Sequence, residues 1–539
     1  MILFRKLAGF GKSLSGSSFG KFFAGSTSRQ GILTIGLSLL VLAGLFARSM
    51  SRFLDLDEHQ FVVPAVLLNK GLLPYQDYPY FHMPDLIYIY GALMALIPYK
   101  LLAARLVSVV SGWITVMLLF RVGWRLFPEQ RQSTRWWIAG GLCLIYMCSR
   151  LFTYTNGWAW NHDSAVLCAF GAFLLHIRGL RQAKIWPFAC AGLLVGLAIG
   201  IRLSFALIGL PFAASLLFAR SDLSFSRRML ALGVAALFAG VSLIPALIPM
   251  YTHTEAFFFG NLGYARLNTT FYSHIDSPAM NPFAKLLHAL QVAFTDPGNA
   301  VVALLAAYGL GYRMWRLRAW KGTYGNELFL ILGLLPVLLI GCWGPTPTQY
   351  QYYYMLFPFL VLGILYTMAS ESAEYLENKQ FRTTLIAALL AVGLTGLPRW
   401  YWSIVYLPTP ERWVPVQVHR TSQWIRENTP SNGPVLTLDT LIPCESGQEI
   451  YPDYAVGRFM WHVGPYLSPE LRHRHHVSWG KELDDLLVKR PPEAVLIDAR
   501  IMGMVPEFVD YAHTHGFREI PSHDRQLQLL VRPKLSEEP

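Results

Sequence analysis

Apolar residues gather along this chain in long runs separated by short charged stretches. The first run, 31–47, carries no charge before its end. Ten more follow at about 100–121, 136–152, 164–177, 185–201, 203–219, 229–250, 298–315, 327–344, 353–369 and 383–401. Each approaches the ~17–25 residues that a helix needs to cross a bilayer. The pattern predicts a polytopic α-helical membrane protein of about eleven spans over 31–410. Residues 51–99, between the first two runs, are half apolar (FVVPAVLL, DLIYIYGALMALIP) and predict amphipathic helices at the membrane surface. A second long loop covers about 251–297. From about residue 411 the pattern is that of a soluble domain. HRTSQWIREN, KELDDLLVKR and VPEFVDYAHTHG read as helices, the last stopped by Gly516. PVLTLDT, EAVLIDA and LQLLV read as short buried strands, so 411–539 should be a small α/β domain.

Composition sharpens this picture. Of 539 residues, 53% are hydrophobic and 14% charged, with mean hydropathy +0.36; soluble domains carry ~25% charge. The net charge of +12 raises nucleic acid as a partner, but its distribution answers the question. Residues 411–539 hold 14 Lys and Arg against 18 Asp and Glu, so the excess lies wholly among the apolar runs. There it falls in loops such as 121–135, 178–184, 227–228 and 313–321, as the positive-inside rule requires of cytoplasmic loops. The first 29 residues, with Arg5, Lys6, Lys12, Lys21, Arg29 and no acid, are assigned inside as a cytoplasmic segment 1–30. Eleven spans then put 411–539 outside. Six cysteines without a C-x-x-C pair support neither a disulfide framework nor a zinc ribbon. With the bacterial look of the plan, they favour a bacterial cytoplasmic (inner) membrane, with the endoplasmic reticulum as the alternative.

Acids are scarce before residue 411, so the cluster Asp55, Asp57, Glu58, Asp77 and Asp85 in the first outside loop is informative. It is either a solvated acidic surface or a site at the membrane face, where a lipid-borne substrate would present its head. Ionisable groups near membrane depth are expensive and are functional candidates by default.

Asp57-Glu58, an Ala-containing helix, Gly71, Pro74-Tyr75, Asp77-Tyr78 and Pro84 resemble the first loop of GT-C glycosyltransferases, in the protein O-mannosyltransferase and lipid A aminoarabinose transferase branch. A second acid of that pattern is matched by Asp163 within NGWAWNHDSAVL. GLLVGLAIGIRLSFALIGLP resembles the next landmark, with Arg202 where a lysine often stands. QYQYYYMLFPFLVLG, containing Tyr353, resembles a late-span landmark of the donor pocket, although an interfacial aromatic belt gives the same string. One departure stands out: Tyr80-Phe81-His82-Met83-Pro84-Asp85 replaces a YFEKPP-like string. The lysine that could touch a carrier phosphate is absent, with His82 a weaker substitute, which counts against aminoarabinose as the sugar.

The resemblance implies a membrane glycosyltransferase that takes a sugar from a polyprenyl phosphate (undecaprenyl phosphate in bacteria) for a lipid, glycan or protein acceptor, with inversion. Such a reaction needs a carboxylate to accept the acceptor's proton and cations to hold the departing phosphate. Asp57 is the expected base, with Glu58 supporting it or shaping the site. Arg202 is the expected clamp, or else a residue snorkelling to the interface. Asp163 orients a sugar, shares a metal with Asp57, or caps a helix. Asp77, His82, His162 and Tyr353 complete the expected donor site. Metal is left open: His82, His162, Asp163, His253 and the loop acids are suitable ligands, but without a tight spacing. The tract 472–476 (RHRHH) reads as a metal tract, an anion patch or an exposed helix end. A polytopic transporter or lipid flippase, and a non-catalytic assembly subunit of the same fold, are the alternatives. The long acidic outside loop and the lack of an internal repeat weigh against the transporter.

Overall fold

The computed structural model describes residues 29–275, 281–430, 433–499, 502–522 and 526–533. The basic segment 1–28 lies outside the described residues.

From its N-terminal side the chain forms α1 (Arg29–Ser51), α2 (Leu56–Asn69), α3 (Asp85–Met94), α4 (Lys100–Leu126), α5 (Gln132–Cys148), α6 (His162–Gln182), α7 (Trp186–Ile201) and α8 (Gly209–Phe218). It continues through α9 (Phe225–Ser242), α10 (Ile244–Thr252), α11 (Tyr264–His274), α12 (Pro282–Phe294), α13 (Pro297–Ala306), α14 (Gly325–Trp343), α15 (Phe357–Ala369) and α16 (Lys379–Val405). Helices are the natural outcome, because a spanning segment must satisfy its backbone polar groups internally. Among the described residues, seven helices are long and apolar enough to cross a membrane: α1, α4, α6, α9, α14, α15 with the turn before it, and α16. An eighth arises if the pair Pro282–Phe294 and Pro297–Leu317, bent by 106°, counts as one span.

The expected eleven is therefore corrected to seven or eight, although helix forms in every one of the eleven runs. The causes are local. The run at 136–152 is cut at Ser149, whose side chain caps a new short helix, leaving α5 with 17 residues. The run at 185–201 gives α7, with 16 residues. The run at 203–219 opens with a 3-10 turn before α8. That at 298–315 begins at the bend, where Asp296 caps α13.

Close helix approach matters most beside the site. Gly192, Gly196 and Gly200 recur every four residues along α7. A Cβ on the first two would lie 2.0 Å and 2.3 Å from the carbonyls of Ala235 and Ala239 on α9. A Cβ on Gly200 would lie 2.0 Å from the Asp85 carboxylate. This small-residue stripe draws α9 and α3 onto α7, and it ends two residues before Arg202.

After α16 come α17 (Val414–Asn428), β1 (Val435–Leu436), α18 (Leu441–Glu445), α19 (Arg458–Val463), α20 (Lys481–Lys489), β2 (Ala494–Asp498), α21 (Pro506–Thr514), β3 (Arg518–Ile520) and β4 (Leu527–Val531). The strands make one mixed sheet, ordered β1-β2-β4-β3, with β1 parallel to β2 and the other neighbours antiparallel. Three of the four strands follow the sequence pattern; β3, REI, is too short and too exposed to show one. Gly516 adopts φ +68° just beyond α21, the left-handed conformation expected of a helix stop.

Candidate active site

The first outside loop begins with a local motif that fixes Asp57. Asp55 accepts a hydrogen bond from the Asp57 backbone N–H at 2.9 Å, and the Glu58 side chain accepts one from the Asp55 N–H at 3.1 Å. This reciprocal capping box starts α2. Asp57 sits inside the first turn and is free to face outward from it.

Glu58 faces the other way. It is fully buried and receives the Arg105 guanidinium through both oxygens, at 2.8 and 2.7 Å, plus the Ala159 N–H at 2.8 Å. Arg105, itself fully buried on α4, also donates to the carbonyls of Ser49, Arg52 and Phe53. The pair thus ties the end of α1, the start of α2, and α4 together around Asp57.

A cavity of about 670 Å³ opens on the other side of α2. Its wall includes Asp55, Asp57 and His82 from the first loop, Trp160 and Asn161 before α6, and Arg202 after α7. Tyr264, Asn268 and Tyr272 of α11, Tyr352, and Phe459 and His462 of α19 complete it. Asp57, His82 and Arg202 are thus brought to one cavity, from positions 145 residues apart.

Their connections are specific. The Gln60 amide donates to Asp57 Oδ1 at 3.0 Å, and its oxygen meets His82 Nε2 at 2.8 Å. Because that oxygen only accepts, Nε2 carries the imidazole proton. Phe61 stacks on the His82 ring at 4.7 Å. Burial, followed by the Asp55 charge, pushes the Asp57 carboxyl up to about 7 against the opposing pull of Arg202. Burial, aided by Arg202, pushes the His82 imidazole down to about 3, so it is neutral at ordinary pH. Asp55 is also raised, by burial above all.

Arg202 terminates α7 in an extended conformation, with its N–H still bonded to the Ala198 carbonyl. Its guanidinium lies 4.7 Å from the Tyr352 ring centre and donates to Asn161 Oδ1 at 2.6 Å, with His162 Nε2 at 3.2 Å. It is 8% exposed and makes no ion pair among the described residues. A buried cation without a carboxylate, in the wall of a cavity, is equipped to hold an anion.

The other expected residues lie around the cavity rather than on it. Asp163, buried in the first turn of α6, accepts from the hydroxyls of Ser108 and Tyr354 (the latter at 2.9 Å) and faces the Gly157 N–H at 3.4 Å. It binds α4, α6 and the turn before α15 together and fixes the 156–161 loop. His162 stands behind the cavity wall, against Arg202, Tyr352 and Trp160. Asp77 closes its own turn by accepting from the Leu73 N–H at 2.7 Å. Tyr353 is hydrogen-bonded to Trp343 and to the Lys285 carbonyl; its neighbour Tyr352 is the one on the cavity. The run Tyr350–Leu356 is a 3-10 helix, whose three-residue turn a string of tyrosines does not betray. Asn161 and Gln60 also belong to the site, and neither carries a sign of it in the sequence beyond its nearness to Asp163 and Asp57. Among the described residues, no group of three or more metal-ligating side chains converges. His253 meets Gln76 at 3.1 Å. The 472–476 tract is a docked helix end: Arg472 pairs with Glu482, Arg474 with Glu255, and His475 stacks on Phe259 at 3.9 Å.

No protein-family model and no curated protein sequence matches this chain. Its fold does have counterparts. ArnT from Cupriavidus metallidurans bound to undecaprenyl phosphate superposes with a TM-score of 0.60 at 14% identity, over 95% of this chain and 100% of that one. The same protein in the apo state gives 0.61 at 11% identity, over 95% and 99%. The oligosaccharyltransferase of Archaeoglobus fulgidus tethered with an acceptor peptide is a looser likeness, with a TM-score of 0.47 at 12% identity, over 93% and 74%. At these identities the likeness is one of fold. The chain has a largely helical fold like that of ArnT, with several helices apolar enough to cross a membrane and a small mixed sheet near its C-terminal end.

Proposed function

We propose that this chain is a glycosyltransferase that moves a sugar from a polyprenyl phosphate carrier to a hydroxyl of a lipid, glycan or protein acceptor at the outer face of the membrane. One observation carries the proposal: a buried guanidinium without an ion pair among the described residues and a carboxylate raised toward neutrality share one cavity. The ArnT structure bound to undecaprenyl phosphate supports it by analogy of fold.

The chemistry follows from the two groups. Ionised Asp57 takes the proton of the acceptor hydroxyl as its oxygen attacks the anomeric carbon. The bond from that carbon to the carrier phosphate oxygen breaks, and its electron pair leaves with the phosphate. Arg202 neutralises the charge that develops there, where a cation counts for most in transition-state stabilisation. One displacement inverts the anomeric centre. Gln60 orients the Asp57 carboxylate, and neutral His82 holds Gln60. A base titrating near 7 is well matched to proton transfer at physiological pH. Glu58 acts by shaping the site through Arg105, and Asp163 by fixing the loop that carries Asn161. The basic N-terminal segment favours an N-terminus inside; with seven spans the C-terminal domain then lies outside, on the face of the loop that carries Asp57.

The test is to incubate purified protein in detergent with polyprenyl-phosphate-linked sugars and follow release of polyprenyl phosphate by mass spectrometry. Sugar-dependent release supports transfer. In reconstituted vesicles, movement of the intact lipid between leaflets without its cleavage would favour a flippase.

A further inference from the structure

We propose that the C-terminal domain is a working part of this active site: it holds α2, and with it Asp57, through a buried contact centred on His59, and it caps α4 through Glu445. This rests on the transfer reaction proposed above.

His59 lies two residues after Asp57 on α2 and is 3% exposed. Its Nδ1 accepts a hydrogen bond from the Leu441 N–H, at the first residue of α18, at 3.2 Å. Because Nδ1 accepts, Nε2 carries the proton, and it faces Asp439 Oδ1 at 4.0 Å. The same Asp439 oxygen is held by Arg458 at 2.9 Å, and Arg458 reaches Asp498 at the end of β2 at 3.5 Å. The approach is close: a Cβ on Gly457, which has φ +60°, would lie 3.3 Å from His59 Cβ. The sheet, Arg458 and Asp439 thus form a chain of contacts that ends on the helix carrying the base.

Glu445 makes the second anchor. It is buried in the C-terminal domain, yet its two oxygens accept the N–H groups of Lys100 and Leu101, at 2.7 and 2.9 Å. Those N–H groups belong to the first turn of α4, where backbone donors lack helical partners and a negative charge is favoured. The α4 N-cap residue, Tyr99, supplies no side-chain cap of its own. His419 of α17 meets the same Glu445 at 3.2 Å and packs on Tyr99 at 4.2 Å. Since α4 carries Arg105, the partner of Glu58, this cap bears on Asp57 through that ion pair. His59, Asp439 and Glu445 are positioning residues: none of them lines the cavity.

The experiment uses the full-length protein in detergent. His59→Leu removes the acceptor for the Leu441 N–H, His59→Asn restores one at nearly the same place, and Glu445→Gln removes the charge of the α4 cap. Three quantities are read: amide hydrogen exchange over residues 56–69, binding of undecaprenyl phosphate, and sugar transfer. In His59→Leu, exchange over 56–69 should quicken roughly tenfold, the size expected from one lost buried hydrogen bond, while α14 keeps its protection. Transfer should fall by a similar factor with undecaprenyl phosphate binding unchanged, because Arg202 stands at the end of α7, away from α2. His59→Asn should recover both, and Glu445→Gln should quicken exchange at the start of α4 and lower transfer. Exchange over 56–69 that matches wild type in His59→Leu, or carrier binding that falls in step with transfer, would overturn the proposal. A wild-type protein that transfers no sugar would defeat the functional reading alone, and the exchange measurement would still decide the docking. If His59→Leu does not fold, His59→Asn and Glu445→Gln decide it by the same readouts.

Discussion

Replacing Arg202 by alanine should weaken binding of the carrier phosphate without unfolding the protein. The guanidinium is 8% exposed, stands over the Tyr352 ring at 4.7 Å and holds Asn161 at 2.6 Å. A hydrogen bond to a charged group contributes about 1.5–3 kcal/mol, which corresponds to roughly ten- to a hundredfold in affinity. Since no carboxylate makes an ion pair with Arg202 among the described residues, its removal breaks no buried ion pair, and Asp57, losing its pull, can take up a proton. The folding penalty should therefore be small beside the binding penalty. Arg202→Lys keeps the charge but loses the planar fork and the ring contact, so it should fall between wild type and alanine. The assay is titration of purified protein in detergent with undecaprenyl phosphate, with the thermal midpoint as the folding control. An alanine variant that binds within about twofold of wild type, well inside the loss of one such bond, would reduce Arg202 to an interfacial anchor.

Arg105→Met should destabilise the protein by about 3–5 kcal/mol, because it leaves Glu58 buried and uncompensated; adding Glu58→Gln should recover much of the loss. Both are read from thermal or denaturant unfolding, and full stability in the single variant would refute the anchoring role. Transfer should rise with pH as Asp57 ionises, tenfold per unit below about 7 and level above it, since the group is pushed up to about 7 and acts as a base. His82, pushed down to about 3, adds no second limb in this range. A kcat/KM profile that is flat across neutrality would contradict the assignment. For orientation, a tag at Met1 should be reachable only from inside and one at Pro539 from outside; finding both on one side would defeat it.

What was legible in the sequence was local chemistry and helix position. The apolar runs mark the helices they become, whereas the D-x-x-E spacing of Asp55 and Glu58, which caps α2, reads in the sequence only as part of an acidic cluster. Span count was less legible, because Ser149 and Asp296 break helices by side-chain caps that a run of hydropathy averages away. Glu58 looked like a second site acid because its partner, Arg105, is 47 residues distant and sits in an apolar run. Tyr352 and Tyr353 could be told apart only once the 3-10 helix set which of them meets Arg202. Phe459 and His462 carry no local sign of a cavity; only the docking of α19 on the outer loops brings them to it.

The central claim is that Asp57 accepts the proton that allows sugar to leave a lipid phosphate. The most direct measurement compares single-turnover transfer from a polyprenyl-phosphate-linked sugar by wild type and by Asp57→Asn, with undecaprenyl phosphate binding measured on the same preparations. Asparagine keeps the size and the contact with Gln60 but cannot take the proton. Transfer should fall by at least the ~10²-fold typical of a general base, with binding retained, whereas Asp55→Asn should lose far less. An Asp57→Asn protein that transfers sugar at the wild-type rate, or an Asp55→Asn protein that loses more, would contradict the account.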